Sequence, residues 1–263
     1  MNIDIDIGVT LKGEYLPPTI TTASEDSLKI AVCLHPWSWL GGSMHDPVLD
    51  ILARPFQDKG YHVFRYNSRG VGGSSGWPTL TGLTEGKDLE AVVDWSLRYV
   101  QGLGPRSPTT NDAAKTSDVV IVGYSHGSLI ASLYPILPGK HTKVSHVLVS
   151  YPLGPRKYLT LFHSSTYASK LRELVQNPNS NVLIIYGDQD EFTSGKSYEG
   201  WAQELIKVTE VRNSTVSDNS PSPLDVAQGQ KQNSLTVCCR PGASHFWRGR
   251  HGIWLAETVA KWL

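Results

Sequence analysis

Val119-Val120-Ile121-Val122-Gly123-Tyr124-Ser125-His126-Gly127 is the stretch that decides how this chain folds. Its first four residues are β-branched with no polar break, as in a strand buried on both faces of a parallel sheet. The next five spell G-x-S-x-G, and a short apolar stretch of helical character, Ser128–Leu133, follows. Strand, tight turn and helix in that order are the setting in which this pentapeptide holds a serine hydroxyl clear of the backbone. The physical reason is crowding. Glycines at 123 and 127 let strand and helix approach closely, and the serine between them is forced into a strained turn at the carboxyl edge of the sheet. Taken alone, the same letters also describe a glycine-rich strand-to-helix turn with an incidental serine, so the rest of the chain has to discriminate.

Outward from this unit, short β-branched runs alternate with amphipathic stretches, the rhythm of a mainly parallel α/β sheet. Strands are expected at Ile30–Leu34, Tyr61–Tyr66, Val144–Val149, Val182–Ile185 and Leu235–Cys239, with Ile3–Val9 and Leu11–Leu16 as an opening hairpin at the sheet edge. Helices are expected over Asp46–Lys59, Thr84–Tyr99, Ser197–Val211 and Gly252–Leu263; in the second, Leu89, Val92, Val93 and Leu97 recur at helical spacing. Two polar stretches, 103–118 and 213–233, break the rhythm and are expected to be mobile surface loops. The strand rhythm resumes after each, so 1–263 reads as a single domain.

Composition removes several classes of function. The 263 residues carry 24 basic and 24 acidic side chains, a formal charge of zero. That balance lacks the electrostatic footprint of a nucleic-acid binder or of a protein drawn to anionic membranes. No apolar run approaches the roughly 20 residues of a transmembrane helix. Met1–Leu16 alternates Ile and Asp without an apolar signal core, which points to a soluble, cytoplasmic protein. Cys33, Cys238 and Cys239 form neither a disulfide framework nor a metal spacing. The sequence has no H-E-x-x-H and no zinc-type Cys/His pairing. Gly70-Val71-Gly72-Gly73 lacks the Lys-Ser/Thr ending of a phosphate loop, so neither metal nor cofactor is expected.

Two further segments follow predicted strands. After Val182–Tyr186 comes Gly187-Asp188-Gln189-Asp190-Glu191, and after Leu235–Cys239 comes Gly242-Ala243-Ser244-His245-Phe246. Serine, acid and histidine therefore occur in that chain order, each past the end of a strand. Parallel strands bring such loops to one edge of the sheet. Ser125 is then the candidate nucleophile, His245 its base, and a carboxylate the group that orients the imidazole. Asp188 and Asp190 both qualify at this point.

On these residues the chain resembles the α/β-hydrolase superfamily over nearly its whole length. Within it, the chain looks like the small, lid-poor serine hydrolases with HP…GGSM and RG-x-G-x-S segments, here His35-Pro36, Gly41-Gly42-Ser43-Met44 and Arg69-Gly70-Val71-Gly72-Gly73-Ser74. The resemblance implies a mostly parallel eight-stranded sheet with helices on both faces and a minimal lid within about 152–180. It implies the acid of a G-x-x-D turn, which selects Asp190, and the histidine of a G-x-x-H-F segment, His245. It also implies an oxyanion hole from the amide after the nucleophile, His126, and one from the loop after the third strand. Pro36 has no amide hydrogen, so Trp37 is the second donor. Trp37 and Trp39 depart from the smaller residues usual there and reshape the entrance.

The expected chemistry is hydrolysis of an ester, thioester or lactone through an acyl-serine. The alternatives are non-hydrolytic carbon–carbon cleavage, cyclisation or decarboxylation at the same site, or a hydrolase-shaped binding protein. Trp39, Trp77, Tyr124, Tyr158, Phe162, Phe246 and Trp247 are candidates for the substrate pocket, with Tyr167 facing the cleft; each could equally be ordinary core. Arg69 is expected to pin its loop through backbone carbonyls, and His35 to brace the oxyanion loop. A small lid and several aromatics suggest a medium-sized apolar or aromatic acyl group as the small-molecule partner, in preference to a long lipid at an interface.

Overall fold

The computed structural model describes all residues except 6–7, 21–26, 104–115, 138–141, 161 and 217–233. Eight strands form one sheet: β1 (Asn2–Ile5), β2 (Val9–Leu16), β3 (Ser27–Leu34), β4 (His62–Tyr66), β5 (Thr116–Tyr124), β6 (Thr142–Val149), β7 (Asn181–Gly187) and β8 (Ser234–Arg240). Their spatial order is β1-β2-β4-β3-β5-β6-β7-β8. The first two pairings are antiparallel and the remainder parallel. The helices are α1 (Pro47–Asp58), α2 (Leu83–Gln101), α3 (His126–Ala131), α4 (Arg156–Leu159), α5 (Ser164–Gln176), α6 (Gly195–Val216) and α7 (Arg250–Trp262).

Four expectations about boundaries need correction. The opening hairpin breaks at Gly8 (φ 75°), so Val9 and Thr10 belong to the second strand. Residues 116–118 of the first expected loop pair with β3 as part of β5. Residues 213–216 of the second expected loop continue α6. The remainder of these loops, 104–115 and 217–233, lies outside the described residues. The fourth correction concerns the lid segment 152–180. Its helix α5 turns Tyr167, Leu171, Leu174 and Val175 into the core, leaving only the one-turn α4 as an appendage.

Burial on both faces follows from strand alternation. Ile30, Val32 and Leu34 of β3, with Val119 and Ile121 of β5, face α2, α3, α5 and α6. Ala31, Cys33, Val120 and Val122 face α1 and α7. Helix α1 starts where it does because Asp46 caps it, its Oδ1 accepting the Val48 amide at 2.9 Å, with Pro47 in the first turn.

His146 of β6 is fully buried, and its Nε2 donates to the Tyr134 carbonyl at 3.0 Å. Burial drives its pKa down to about 4, against a smaller opposing effect of that bond. A histidine depressed in the native state takes its proton in the unfolded chain first, so stability is lost as pH falls below the unfolded value near 6.5. Between pH 6.5 and 5 this one group should remove about 2 kcal/mol of stability. Urea unfolding of His146→Met should show an acid slope shallower by that amount, and equal slopes would show that His146 is not the group titrating.

Candidate active site

The turn after β5 is built as its glycines require. A Cβ on Gly123 would stand 2.5 Å from Ser128 Cα and 2.6 Å from the Gly127 carbonyl carbon. One on Gly127 would stand 2.7 Å from the His35 carbonyl oxygen, so α3 also crosses against the end of β3. Between them Ser125 takes φ 54° and ψ −121°, a conformation sparsely occupied by side-chain-bearing residues. The turn is held by the Ser125 amide donating to the Val149 carbonyl (2.9 Å) and by the Ser128 amide donating to the Ser125 carbonyl (2.8 Å).

Two loops on the same sheet edge complete a hydrogen-bonded chain. The Ser125 hydroxyl lies 2.9 Å from His245 Nε2, and His245 Nδ1 lies 2.6 Å from Asp190 Oδ2. All three side chains are buried. The other Asp190 oxygen, Oδ1, accepts the Phe192 amide at 2.8 Å and the Thr193 amide at 3.0 Å, and the Tyr198 hydroxyl donates to Oδ2 at 3.3 Å. Burial and the nearby Asp190 charge raise the Tyr198 pKa well above its ordinary value, which keeps it a donor. Asp188 is used differently, accepting the Gly242 amide at 2.7 Å. The acid and histidine loops touch at Gly187, where a Cβ would stand 2.7 Å from the Ala243 carbonyl carbon.

Sequence reasoning missed several groups that hold His245. Glu191 accepts its backbone amide at 2.8 Å, the Tyr124 hydroxyl donates to its carbonyl at 3.0 Å, and Phe192 lies edge-on to its ring at 4.7 Å. Glu191 and Phe192 directly follow Asp190, so adjacency to the acid was the available signal.

The loop after β3 runs beside the turn. His35 Nδ1 donates to the Pro36 carbonyl at 2.6 Å while Nε2 accepts the Ser68 amide at 3.0 Å. That pairing requires a neutral ring, and burial lowers its pKa in the same sense. The Pro36 carbonyl, which shares its peptide with the Trp37 amide, is the one that accepts His35 Nδ1, and the Trp37 carbonyl accepts the Leu40 and Gly42 amides, both at 3.1 Å, so the loop is held on either side of Trp37. His126 opens α3, so its amide precedes the helical ladder. Burial, with His35 adding to it, pushes the His126 ring down to about 4, leaving it uncharged.

The candidate pocket residues separate into three groups. Phe246 lies beside the hydrogen-bonded chain, its ring 5.7 Å from His245 and 6.3 Å from Phe192. Tyr124 and Trp247 both pack with α1 and α7; Trp247 Nε1 donates to Ser150 Oγ at 3.0 Å, while the Tyr124 ring also lies 5.4 Å from that of His245. Tyr167 is likewise core, its hydroxyl donating to the Thr81 carbonyl at 2.8 Å. Trp39 stacks on Trp37 at 6.0 Å, yet Trp39, Trp77, Tyr158 and Phe162 are too exposed to wall an enclosed pocket. Arg69 pairs with a carboxylate and not with backbone carbonyls. Its Nε donates to Asp88 Oδ2 at 2.7 Å and its Nη2 to Oδ1, so Asp88 already neutralises it. Among the described residues no His, Cys, Asp or Glu cluster could hold a metal ion, and no helix is long and apolar enough to cross a membrane.

The chain belongs to the alpha/beta hydrolase family, whose sequence model matches residues 31–250 and so spans the sheet from β3 to β8. An uncharacterized protein of Schizosaccharomyces pombe is 27% identical over 175 residues, 66% of this chain and 68% of that protein. One of Rickettsia prowazekii is 31% identical over 142 residues, 54% of this chain and half of its own length. An alpha-beta serine hydrolase homologue from Coxiella burnetii superposes with a TM-score of 0.65 at 23% identity, covering 99% of this chain and 95% of that one. A serine hydrolase without lid from Xanthomonas campestris does so at 0.63 and 24%, covering 100% and 91%. These structures share the fold.

Proposed function

We propose that Ser125, His245 and Asp190 are the catalytic triad of a serine hydrolase acting on an apolar ester, thioester or lactone. One observation carries this reading, the unbroken hydrogen-bond chain from Ser125 Oγ through His245 to Asp190 Oδ2, at 2.9 and 2.6 Å. Ser125 Oγ attacks the carbonyl carbon as its proton passes to His245 Nε2. The carbonyl oxygen, now an oxyanion, is received by the amides of Trp37, on the loop after β3, and His126, at the start of α3. Collapse expels the alcohol or thiol, which takes the proton from Nε2, and leaves an acyl-serine. A water then gives its proton to the same nitrogen and attacks the acyl carbon; breakdown releases the acid and restores Ser125. Asp190 holds His245 with Nδ1 protonated throughout, so that Nε2 is free to accept. Phe192 and Phe246, both against the His245 ring, favour an apolar group beside the reacting carbon.

Ser125 should react with a fluorophosphonate probe, and mass mapping should place the adduct on its hydroxyl. Undiminished labelling of Ser125→Ala, or an adduct elsewhere, would remove the assignment. Incubation with an activated ester should release acid and alcohol in equal amounts; no ester turnover, together with Ser125-dependent carbon–carbon cleavage of a β-carbonyl substrate, would indicate different chemistry on the same residues.

A further inference from the structure

The large apolar side chains that remain exposed are unevenly distributed. Trp39 (66% exposed) and Leu40 (68%) follow β3, Trp77 (85%) and Leu80 (58%) follow β4, Phe192 (38%) follows β7 and Phe246 (45%) follows β8. Tyr158 and Phe162, exposed after β6, continue the series. Every one of these loops leaves the carboxyl end of a strand that runs parallel to β5, the edge at which Ser125 stands. The other exposed large apolar residues, such as Ile20, Ile206 and Ile253, are scattered singly over other elements, as is ordinary for a protein surface. Apolar surface concentrated in one place marks an interaction face.

We propose that this rim is a docking surface for an uncharged lipid aggregate, from which the ester passes to Ser125; the inference rests on the reading of Ser125 as nucleophile. Three features select this occupant. The rim lies on the sheet edge that carries the nucleophile, so a protein seated on it would close the approach, whereas a lipid aggregate delivers its own esters there. Two exposed tryptophans among aliphatic and phenyl groups suit the boundary between head groups and chains, where indole is favoured. The formal charge is zero, and of the cations near this edge Arg248 is stacked over the Phe246 ring at 5.4 Å, so net charge gives no preference for anionic lipid. The short α4 leaves the rim uncovered, because α5 is committed to the core. The proposal runs against the expectation from sequence that a small lid disfavours an interface: with little to cover it, this face would stay available to lipid.

The test separates docking from catalysis by using Ser125→Ala. With phosphatidylcholine vesicles this variant should co-sediment, and its tryptophan emission should shift to the blue. Adding Trp39→Ser and Trp77→Ser should weaken partition on the order of tenfold. On tributyrin, the rate of the unsubstituted protein should rise several-fold as the ester passes its solubility limit and droplets form. No co-sedimentation, together with a rate that saturates smoothly through that limit, would overturn the proposal. So would a reversible dimer in sedimentation equilibrium that the two tryptophan substitutions dissociate, because a second copy would then cover the rim. If vesicle binding persists while Ser125 resists the fluorophosphonate, the nucleophile assignment falls and the docking surface stands.

Discussion

Asp190→Asn should lower kcat on an activated ester by about 10⁴ with folding intact, the scale set by the loss of the acid in serine triads. The size follows from how Asp190 is held. Its Oδ1 accepts the Phe192 and Thr193 amides, so an asparagine must leave its carbonyl oxygen there. The NH₂ group then falls where Oδ2 now meets His245 Nδ1, and it can only donate. His245 would be driven into the tautomer with its proton on Nε2, facing Ser125 with a donor where an acceptor is needed. Asp188→Asn is the control, since its carbonyl can still accept the Gly242 amide. A larger kcat loss at Asp188 than at Asp190, with both variants folded, would reassign the acid.

The same substitution should have opposite effects at two glycines. Gly123→Ala should destabilise by more than about 4 kcal/mol, or prevent folding, because the new Cβ collides with main chain at Gly127 and Ser128 that no side-chain rotation can clear. Gly200→Ala, inside α6 with nothing within 4 Å of the added carbon, should stabilise by about 0.5–1 kcal/mol through helix propensity and a less free unfolded chain. Urea denaturation of the two variants measures both. A mild effect at Gly123 would mean that the β5–α3 crossing has slack, and the strained Ser125 conformation would then lack its enforcing contact.

Much of the candidate site was legible because it is local. The turn around Ser125 is encoded in five residues, and its two glycines are required by contacts that any strand entering a helix at this angle would make. The same holds for the strand runs: in a parallel sheet covered on both sides, both alternations are apolar, so Val119–Val122 reads as a strand without tertiary information. That property also hid the true place of Tyr124. In a strand apolar on both faces, the sequence does not distinguish a side chain facing the candidate site from one facing α1 and α7, and Tyr124 does both, packing with those helices while it supports His245.

Trp247 shows the limit from another direction. It sits two residues after His245, yet at φ 48° the chain turns its indole inward against Trp254, at 6.2 Å. Arg69 found its carboxylate on α2, and Tyr198 reached Asp190 from α6. No spacing rule connects those pairs, because each contact depends on where a helix lands on the sheet. The sequence by itself determined the strand–turn–helix unit that presents Ser125 and the order in which acid and histidine follow, since these depend on steric limits over a few consecutive residues. Tertiary structure alone decided which aromatics entered the core, which carboxylate met which cation, and which large apolar side chains stayed exposed at the sheet edge that carries Ser125. Those outcomes depend on the packing of elements distant in the chain, and the energy of burying a side chain is set by what lies opposite it, not by its neighbours in sequence.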